Sequence, residues 1–271
     1  MRIVTLIENT APKGLKEEWG LSLYIEYGGK TYLLDSGETS SFALNARALG
    51  VDLAQVDDAV LSHAHYDHAG GMEAFFRINS KAKYHLRQGA QENCYMKVLF
   101  AKKYIGLEQG ILEKRKDRIA YASGLVQLEE GVTLIPHNTT GLTAIGKKAH
   151  LYVQRDGRLV PDDFAHEQSL VFETEMGLVI LNSCSHGGVC NIVNEVREAL
   201  PGKPVYAMIG GFHLVHKGRR ELESIAKEIK AVHIPLLYTG HCTGEKAMDI
   251  LKSVVGDSVK TLHTGMEIVI G

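Results

Sequence analysis

Hydrophobic positions in this chain come in short runs. Ile3 to Ile7 is one such run. Leu21 to Tyr27 alternates apolar and polar positions, Gly28-Gly29 turns, and Thr31-Tyr32-Leu33-Leu34-Asp35 returns, which is a hairpin signature. The strand pattern repeats at Asp58 to Ser62, Val132 to Ile135, His150 to Val153, Ser169 to Glu173, Leu178 to Asn182, Val205 to Ile209 and Pro235 to Thr239. Two more strands, near Val259 to Leu262 and Met266 to Ile270, close the chain. Helical periods lie between them. Phe42, Leu44, Ala46 and Leu49 precede Gly50 as a stop, and Gly71 to Ile78, Gly188 to Leu200 and Gly244 to Val255 read as helices. Leu222, Ile225, Ala226 and Ile229 give Arg220 to Ala231 one apolar face.

The stretch from about 86 to 125 breaks this order. Gln88 to Gly106 is helical in composition and carries Tyr95, Met96, Phe100 and Tyr104, and Glu113-Lys114-Arg115-Lys116-Asp117-Arg118 mixes charges. We expect a helical insertion here, either lining a substrate pocket or forming a peripheral helix with a solvated face. No repeat, low-complexity tract or Pro/Ser-rich linker occurs, so one domain over residues 1–271 is the simplest reading.

Composition adds mostly exclusions. The 271 residues are 45% hydrophobic and 23% charged, with a formal net charge of −2, which argues against a dedicated nucleic-acid or membrane surface. Lys147-Lys148 and Lys217-Gly218-Arg219-Arg220 are the compact basic spots, and both read as solvated faces. The N-terminal run is too short for a signal peptide, and nothing approaches the ~20 apolar residues of a membrane span. Cys94, Cys184, Cys190 and Cys242 show neither zinc-ribbon spacing nor a dense disulfide pattern, so the expected compartment is a reducing cytoplasm. Nothing in the pattern bears on the number of copies.

The chemistry is concentrated in His63-Ala64-His65-Tyr66-Asp67-His68, between Leu61-Ser62 and Ala69-Gly70-Gly71. Three imidazoles and a carboxylate this close suit Zn, Mn, Fe or Ni, and the spacing is expected by chance about 0.002 times in such a chain. His63 and His65 alternate with Ala64 and can project to one side to grip one metal. Asp67 and His68, past the bend, reach a second. His186, in Cys184-Ser185-His186-Gly187-Gly188, is our choice to complete the first metal, and His241, in Gly240-His241-Cys242-Thr243-Gly244, the second. His166 rivals His186 for the same position, Asp35 is expected to orient an imidazole from behind, and Cys184 and Cys242 are either neighbours of the site or small buried residues.

Asp35, the His63–His68 loop, His186, His213 and His241 all follow the ends of short strands, where loops can converge on one site. Two adjacent divalent ions would ionise water, Asp67 would orient it or accept its proton, and His213, from across the pocket, would stabilise an oxyanion or protonate a leaving group. His137, His150, His216, His233 and His263 are assigned to surface or core. No nucleophile elbow or P-loop competes.

Leu34-Asp35-Ser36-Gly37, His63-x-His65-x-Asp67-His68 with Gly70-Gly71, and the late His241 resemble the metallo-β-lactamase superfamily over nearly the whole chain. The resemblance implies an α/β fold, an αβ/βα four-layer sandwich of two mixed β-sheets flanked by helices, with a binuclear site at one edge. Cys184-Ser185-His186-Gly187-Gly188, Gly210-Gly211-Phe212-His213-Leu214, Thr239-Gly240-His241-Cys242-Thr243-Gly244 and Tyr104-Ile105-Gly106 are similar to a narrower group of metal-dependent hydrolases that also holds a dihydropterin–arylamine synthase. One departure stands out. The family's bridging Asp would follow Leu178–Asn182, where this chain has Ser183 and Cys184, so the bridge is either water alone or Cys184.

The leading expectation is a metal-dependent hydrolase of a small ester, lactone or phosphoester, with two divalent ions, zinc first. An alternative is a pterin-pyrophosphate-dependent transferase, for which Tyr95, Phe100, Tyr104 and Phe212 would stack a flat ring. A ligand sensor that keeps metal without turnover is a third. An RNA-processing nuclease fits poorly, because a basic surface is missing.

Overall fold

A computed structural model describes residues 1–98 and 101–271. In the first half the elements run β1 (Arg2–Ile7), β2 (Ser22–Tyr27), β3 (Lys30–Leu34), α1 (Ser41–Ala48), β4 (Asp58–Val60), α2 (Tyr66–Ala69), α3 (Met72–Ile78), β5 (Lys83–Arg87), β6 (Cys94–Val98), β7 (Ala101–Tyr104), α4 (Ile111–Lys114) and β8 (Ile119–Ala122). The second half runs β9 (Val126–Glu129), β10 (Val132–Pro136), α5 (Leu142–Lys148), β11 (Leu151–Arg155), β12 (Arg158–Pro161), β13 (Gln168–Thr174), β14 (Gly177–Leu181), α6 (Val189–Ala199), β15 (Val205–Gly211), α7 (Arg219–Ala231), β16 (Leu236–Gly240), α8 (Glu245–Val255), β17 (Val259–Thr261) and β18 (Glu267–Val269).

Connection length decides how these strands pair. Gly28 and Gly29, at φ 59° and 77°, make the two-residue turn that forces β2 and β3 antiparallel, whereas β14 reaches β15 through α6 and pairs parallel. Two seven-stranded mixed sheets result, ordered β18-β1-β2-β3-β4-β5-β8 and β17-β16-β15-β14-β13-β10-β9. Period-two alternation then splits each strand between two cores. Leu23 and Ile25 of β2, Leu170 and Phe172 of β13, Val179 and Leu181 of β14 and Ile209 of β15 fill the space between the sheets. Tyr24, Leu33 and Ala59 join Phe42, Met72 and Phe75 under α1 and α3. Leu178, Ile180 and Met208 join Ile192, Leu222, Ala226 and Leu251 under α6, α7 and α8. The layers therefore run helix, sheet, sheet, helix, in agreement with the expected four-layer sandwich.

The helical insertion is corrected. Among the described residues of 86–125, only α4 and a single 3-10 turn at Lys116–Arg118 are helical. Residues read as helix form β6 and β7, which pair with β11 and β12 in a four-stranded antiparallel sheet ordered β12-β11-β6-β7. Pairing overrides local propensity: Cys94 faces Val153, Tyr95 faces both Tyr152 and Tyr104, and Cys94, Leu151 and Val153 are buried in the core beneath. The partner strand lies about 55 residues downstream, out of reach of any local reading. The mixed-charge stretch clips this region to α3, since Glu73 takes Lys114 at 2.9 Å and Arg115 at 2.7 Å. No helix among the described residues is long and apolar enough to cross a membrane.

Two outcomes test this frame. Phe172 is fully buried with its ring 5.2 Å from Tyr27 and 5.4 Å from Tyr32, so Phe172→Ala should cost about 3–5 kcal/mol of stability in urea unfolding. Hydrogen bonds from Arg115, opposed by partial burial and reinforced by Lys114 and Arg77, hold the Glu73 carboxyl down to about 2 from 4.5. Its contribution is complete above pH 4.5 and is lost as pH falls through 2, so Glu73→Gln should flatten the acid limb of a stability–pH curve over that window.

Candidate metal centre

The carboxyl ends of β3 and β4 from one sheet meet those of β14, β15 and β16 from the other, and each delivers its residues to one point. Asp35 follows β3 in a left-handed backbone conformation, φ 59°, and is fully buried. It accepts the Ser62 N–H at 2.7 Å and the Ser62 hydroxyl at 2.6 Å, and its Oδ2 pairs with His68 Nδ1 at 2.8 Å. Ser185, His213 and His241 are also left-handed, at φ 51°, 50° and 47°, so side-chain direction at this edge is fixed at the expense of backbone strain. Gly71 lets the histidine loop pass close to the β3 end, since a Cβ there would lie 2.2 Å from the Ser36 carbonyl oxygen.

Asp67, His68, His241 and Cys184 form one donor set. His68 Nε2 lies 3.2 Å from His241 Nε2, 3.5 Å from Asp67 Oδ2 and 3.3 Å from Cys184 Sγ, and His241 Nε2 lies 3.3 Å from Asp67 Oδ2. Four ligands placed tetrahedrally at 2.0–2.3 Å from an ion have edges of about 3.3–3.8 Å. These distances fit that figure. Each imidazole is also held from behind, His68 by Asp35 and His241 by Asn9, whose Oδ1 is 3.1 Å from His241 Nδ1. Burial disfavours charge on His68, but Asp67 and Asp35 outweigh it and push the imidazole up to about 10. Asp67 resists its burial in the same way and is held well below the usual carboxylate range by His68 and His241.

His63, His65 and His186 form the other set, with donor atoms all within 4.8 Å of one another. His63 Nδ1 contacts the Ser62 hydroxyl at 2.8 Å, while His63 Nε2, His65 Nε2 and both nitrogens of His186 are buried without a partner. Burial and neighbouring imidazoles push His63 and His186 well down, so both are neutral with a lone pair free. Phe164 stacks on His186 at 4.2 Å, and the His186 N–H donates to Glu167 Oε1 at 3.0 Å. Cys184 stands between the two sets, its sulfur grouped with His63 and His68 on one side and with His186 and His213 on the other.

Expected site residues thus converge, with two adjustments. His213 stands beside His186, ring centroids 4.3 Å apart, and not across the pocket; its Nδ1 is unpartnered. His166 is near but differently engaged. Its Nδ1 accepts the Ala64 N–H at 3.2 Å, which leaves the ring proton on Nε2, 3.1 Å from Asp162. A nitrogen carrying a proton is no ligand, so the geometry favours His186 for the disputed position. A cavity of about 340 Å³ opens on His186 and His213, walled by Val189, Phe212, Leu214 and Lys217.

Of the aromatic residues expected to stack a ring, Tyr95 and Tyr104 pack on each other at 5.3 Å in the small sheet, Phe212 is buried, and Phe100 lies outside the described residues. Sequence reasoning missed Glu8, Asn9, Asp162 and Glu167. Glu8 gave a signal, a carboxylate closing an apolar strand; it is 2% exposed and accepts the His241 N–H. His137, assigned to surface or core, is buried between Glu195 and Asn182, and Asn182 Oδ1 takes the Ser185 N–H at 2.6 Å, bracing the loop before His186.

A family model, Metallo-beta-lactamase superfamily, matches residues 20–153. The chain is 30% identical to the 7,8-dihydropterin-6-methyl-4-(beta-D-ribofuranosyl)-aminobenzene-5'-phosphate synthase of Methanocaldococcus jannaschii, over 98% of this chain and 95% of that protein. An uncharacterised protein of the same archaeon is 25% identical over 93% of this chain and 94% of its own length. Among solved structures, Tm1679, described as a metal-dependent hydrolase of the beta-lactamase superfamily, superposes with a TM-score of 0.85 at 28% identity, covering 100% of this chain and 99% of that one.

Asp35 is the test of the arrangement. In EDTA-treated protein at pH 7, Asp35→Asn should cost about 1.5–3 kcal/mol in urea unfolding, because it removes the charged hydrogen-bond partner of His68 Nδ1 and leaves Asp67 alone to face that ring.

Proposed function

Given that the chain belongs to the metallo-β-lactamase superfamily, we propose that it is a metal-dependent hydrolase of a small ester, lactone or phosphoester, working with a pair of divalent ions, zinc first. The observation that carries this reading is the inequality of the two donor sets. Asp67, His68, His241 and Cys184 are four donors and would close around one ion; His63, His65 and His186 are three and would leave a position open, which is the mark of a catalytic rather than a structural site. When bound, the ions supply Lewis acidity that ionises water near neutral pH and polarises an ester or phosphoryl oxygen.

The side chains do the rest. Asp67, kept ionised by His68 and His241, orients the attacking water with whichever oxygen is not engaged. His213, beside His186 with a free Nδ1, faces the same cavity and donates to the developing oxyanion or the leaving group. Cys184, where the family would have its bridging carboxylate, would give its sulfur to the ion held by Asp67, His68 and His241. Phe164 and Phe212 keep the imidazoles dry, which strengthens every charge interaction there. The description of Tm1679 as a hydrolase supports this reading at 28% identity over the full chain.

The name of the archaeal synthase, at 30% identity, favours a second reading, in which the same centre assists departure of pyrophosphate while an arylamine attacks a pterin carbon. Hydrolysis stands first because Tyr95 and Tyr104 pack on each other in the small sheet, and Phe212, although it lines the His186 cavity, is only 2% exposed.

Metal-loaded protein should turn over generic p-nitrophenyl esters, lactones or bis(p-nitrophenyl) phosphate, and EDTA should lower the rate at least about 100-fold. Turnover confined to a pterin pyrophosphate with an arylamine acceptor would replace hydrolysis by the second reading. His65→Ala and His68→Ala should each reduce bound metal by elemental analysis, while His213→Ala keeps the metal and loses kcat. Full metal retention in both ligand variants would overturn the assignment.

A further inference from the structure

A buried polar cluster lies just behind the three-histidine set, carried by the small sheet. Asp162 follows β12 and is fully buried; Cys94 opens β6 and is fully buried; His166 is 2% exposed. With His65 they place four donor atoms within 4.8 Å of one another. The arrangement is not that of another metal site. The Ala64 N–H occupies His166 Nδ1, so His166 Nε2 carries its proton, aimed at Asp162 Oδ2 at 3.1 Å. Asp162 Oδ1 is occupied as well, by the Phe164 N–H at 2.7 Å. What remains open is Asp162 Oδ2 toward His65, whose Nε2 is 3.9 Å away, buried and without a partner.

We propose that Asp162, itself held by His166 and Phe164, is the positioning residue of His65: from 3.9 Å, a small ring shift short of a hydrogen bond, it would accept the His65 Nε2 proton and leave the Nδ1 lone pair for the ion that His63, His65 and His186 would share. The inference rests on the metal-centre reading above. It follows from counting ring nitrogens. His63 has Nδ1 against Ser62, His68 has Nδ1 against Asp35 and His241 has Nδ1 against Asn9, so each of these presents Nε2 to the centre. His65 is reversed, with Nε2 on the side away from the centre. An imidazole without an acceptor there exchanges tautomers freely, and one tautomer buries its proton where a ligand is needed. A carboxylate at that point removes the wrong tautomer and makes the ring a stronger donor. Asp35 does this for His68 from the first sheet; Asp162 does it for His65 from the small sheet. The small sheet, of which β6 and β7 read in sequence as helix, thereby acquires a function, since Asp162 is placed by the β11–β12 hairpin and walled by Cys94 of β6.

Cobalt(II) titration of the purified chain separates the possibilities. The set containing Cys184 gives a near-ultraviolet thiolate charge-transfer band, and the all-histidine set gives only visible bands. Wild type should bind two ions. Asp162→Asn should weaken the ion without the thiolate band about 10–100-fold and leave the other unchanged, and Asp162→Glu should restore part of the loss. A purely structural role would lower the unfolding midpoint without separating the two affinities. If Asp162→Asn does not fold, the same titration on His166→Gln decides, because Gln still accepts the Ala64 N–H but no longer anchors Asp162. Equal affinities in wild type and in the folded variant overturn this inference alone. Absence of cobalt binding in wild type overturns the metal-centre reading on which it rests.

Discussion

Burying nitrogen lone pairs with nothing to accept or donate costs roughly 1–3 kcal/mol each, and this chain does so repeatedly at one point. His63, His186 and His213 all have ring nitrogens that are buried and unpartnered, with ring centroids 4.3–5.0 Å apart along the row. The same arrangement becomes favourable the moment a cation sits among the lone pairs. The rest of the fold is best understood as what is needed to hold mutually unhelpful groups together: two sheets whose strand ends cannot relax, loops with left-handed residues, and a carboxylate, amide or hydroxyl behind most of the rings.

The sandwich supplies the rigidity. Its inner core is built from alternate residues of both sheets, so neither sheet can slide without moving large side chains such as Phe172 and Tyr32. At the site the sheets are also joined by polar bonds. Gln168, the first residue of β13, donates its N–H to the Ser62 carbonyl at 2.8 Å and its Nε2 to the Leu61 carbonyl at 2.9 Å. The histidine loop of one sheet is thus fixed in height against the strand start of the other, next to Glu167, which holds the His186 backbone. This is what allows residues over a hundred positions apart to meet within a coordination distance.

Much of this was legible in the sequence, for definite reasons. Period-two alternation and short turns placed most strands and the amphipathic helices, because those signals are local. The His63–His68 loop was legible because its density has no packing explanation, and His186, His213 and His241 because each follows a strand with glycine at hand. What escaped depended on distant partners. β6 and β7 are strands only because β11 arrives to pair with them. Asp162, Glu167 and Asn9 are ordinary polar residues in sequence and acquire meaning only from which ring nitrogen or backbone N–H they meet. The position of His213 beside His186 was likewise set by tertiary closure, with the Cys242 sulfur accepting the His213 N–H at 3.2 Å.

The thiol at position 184 ties these strands of argument together. A carboxylate there would have two oxygens and could serve both ions alike, evening out their charge. A single sulfur, 3.3 Å from His68 Nε2 and grouped also with His63 and His186, has one donor atom to give where a carboxylate has two. On the proposed reading the centre would have one saturated and one unsaturated side, the unsaturated one carrying His186, which opens with His213 on the cavity. Softer sulfur would also bias the closed side toward zinc-like ions, while the all-nitrogen side would have the weaker hold and the freer exchange of ligands that the proposed turnover requires. The departure from the family pattern is therefore consistent with reactivity, since it makes the two positions different in kind.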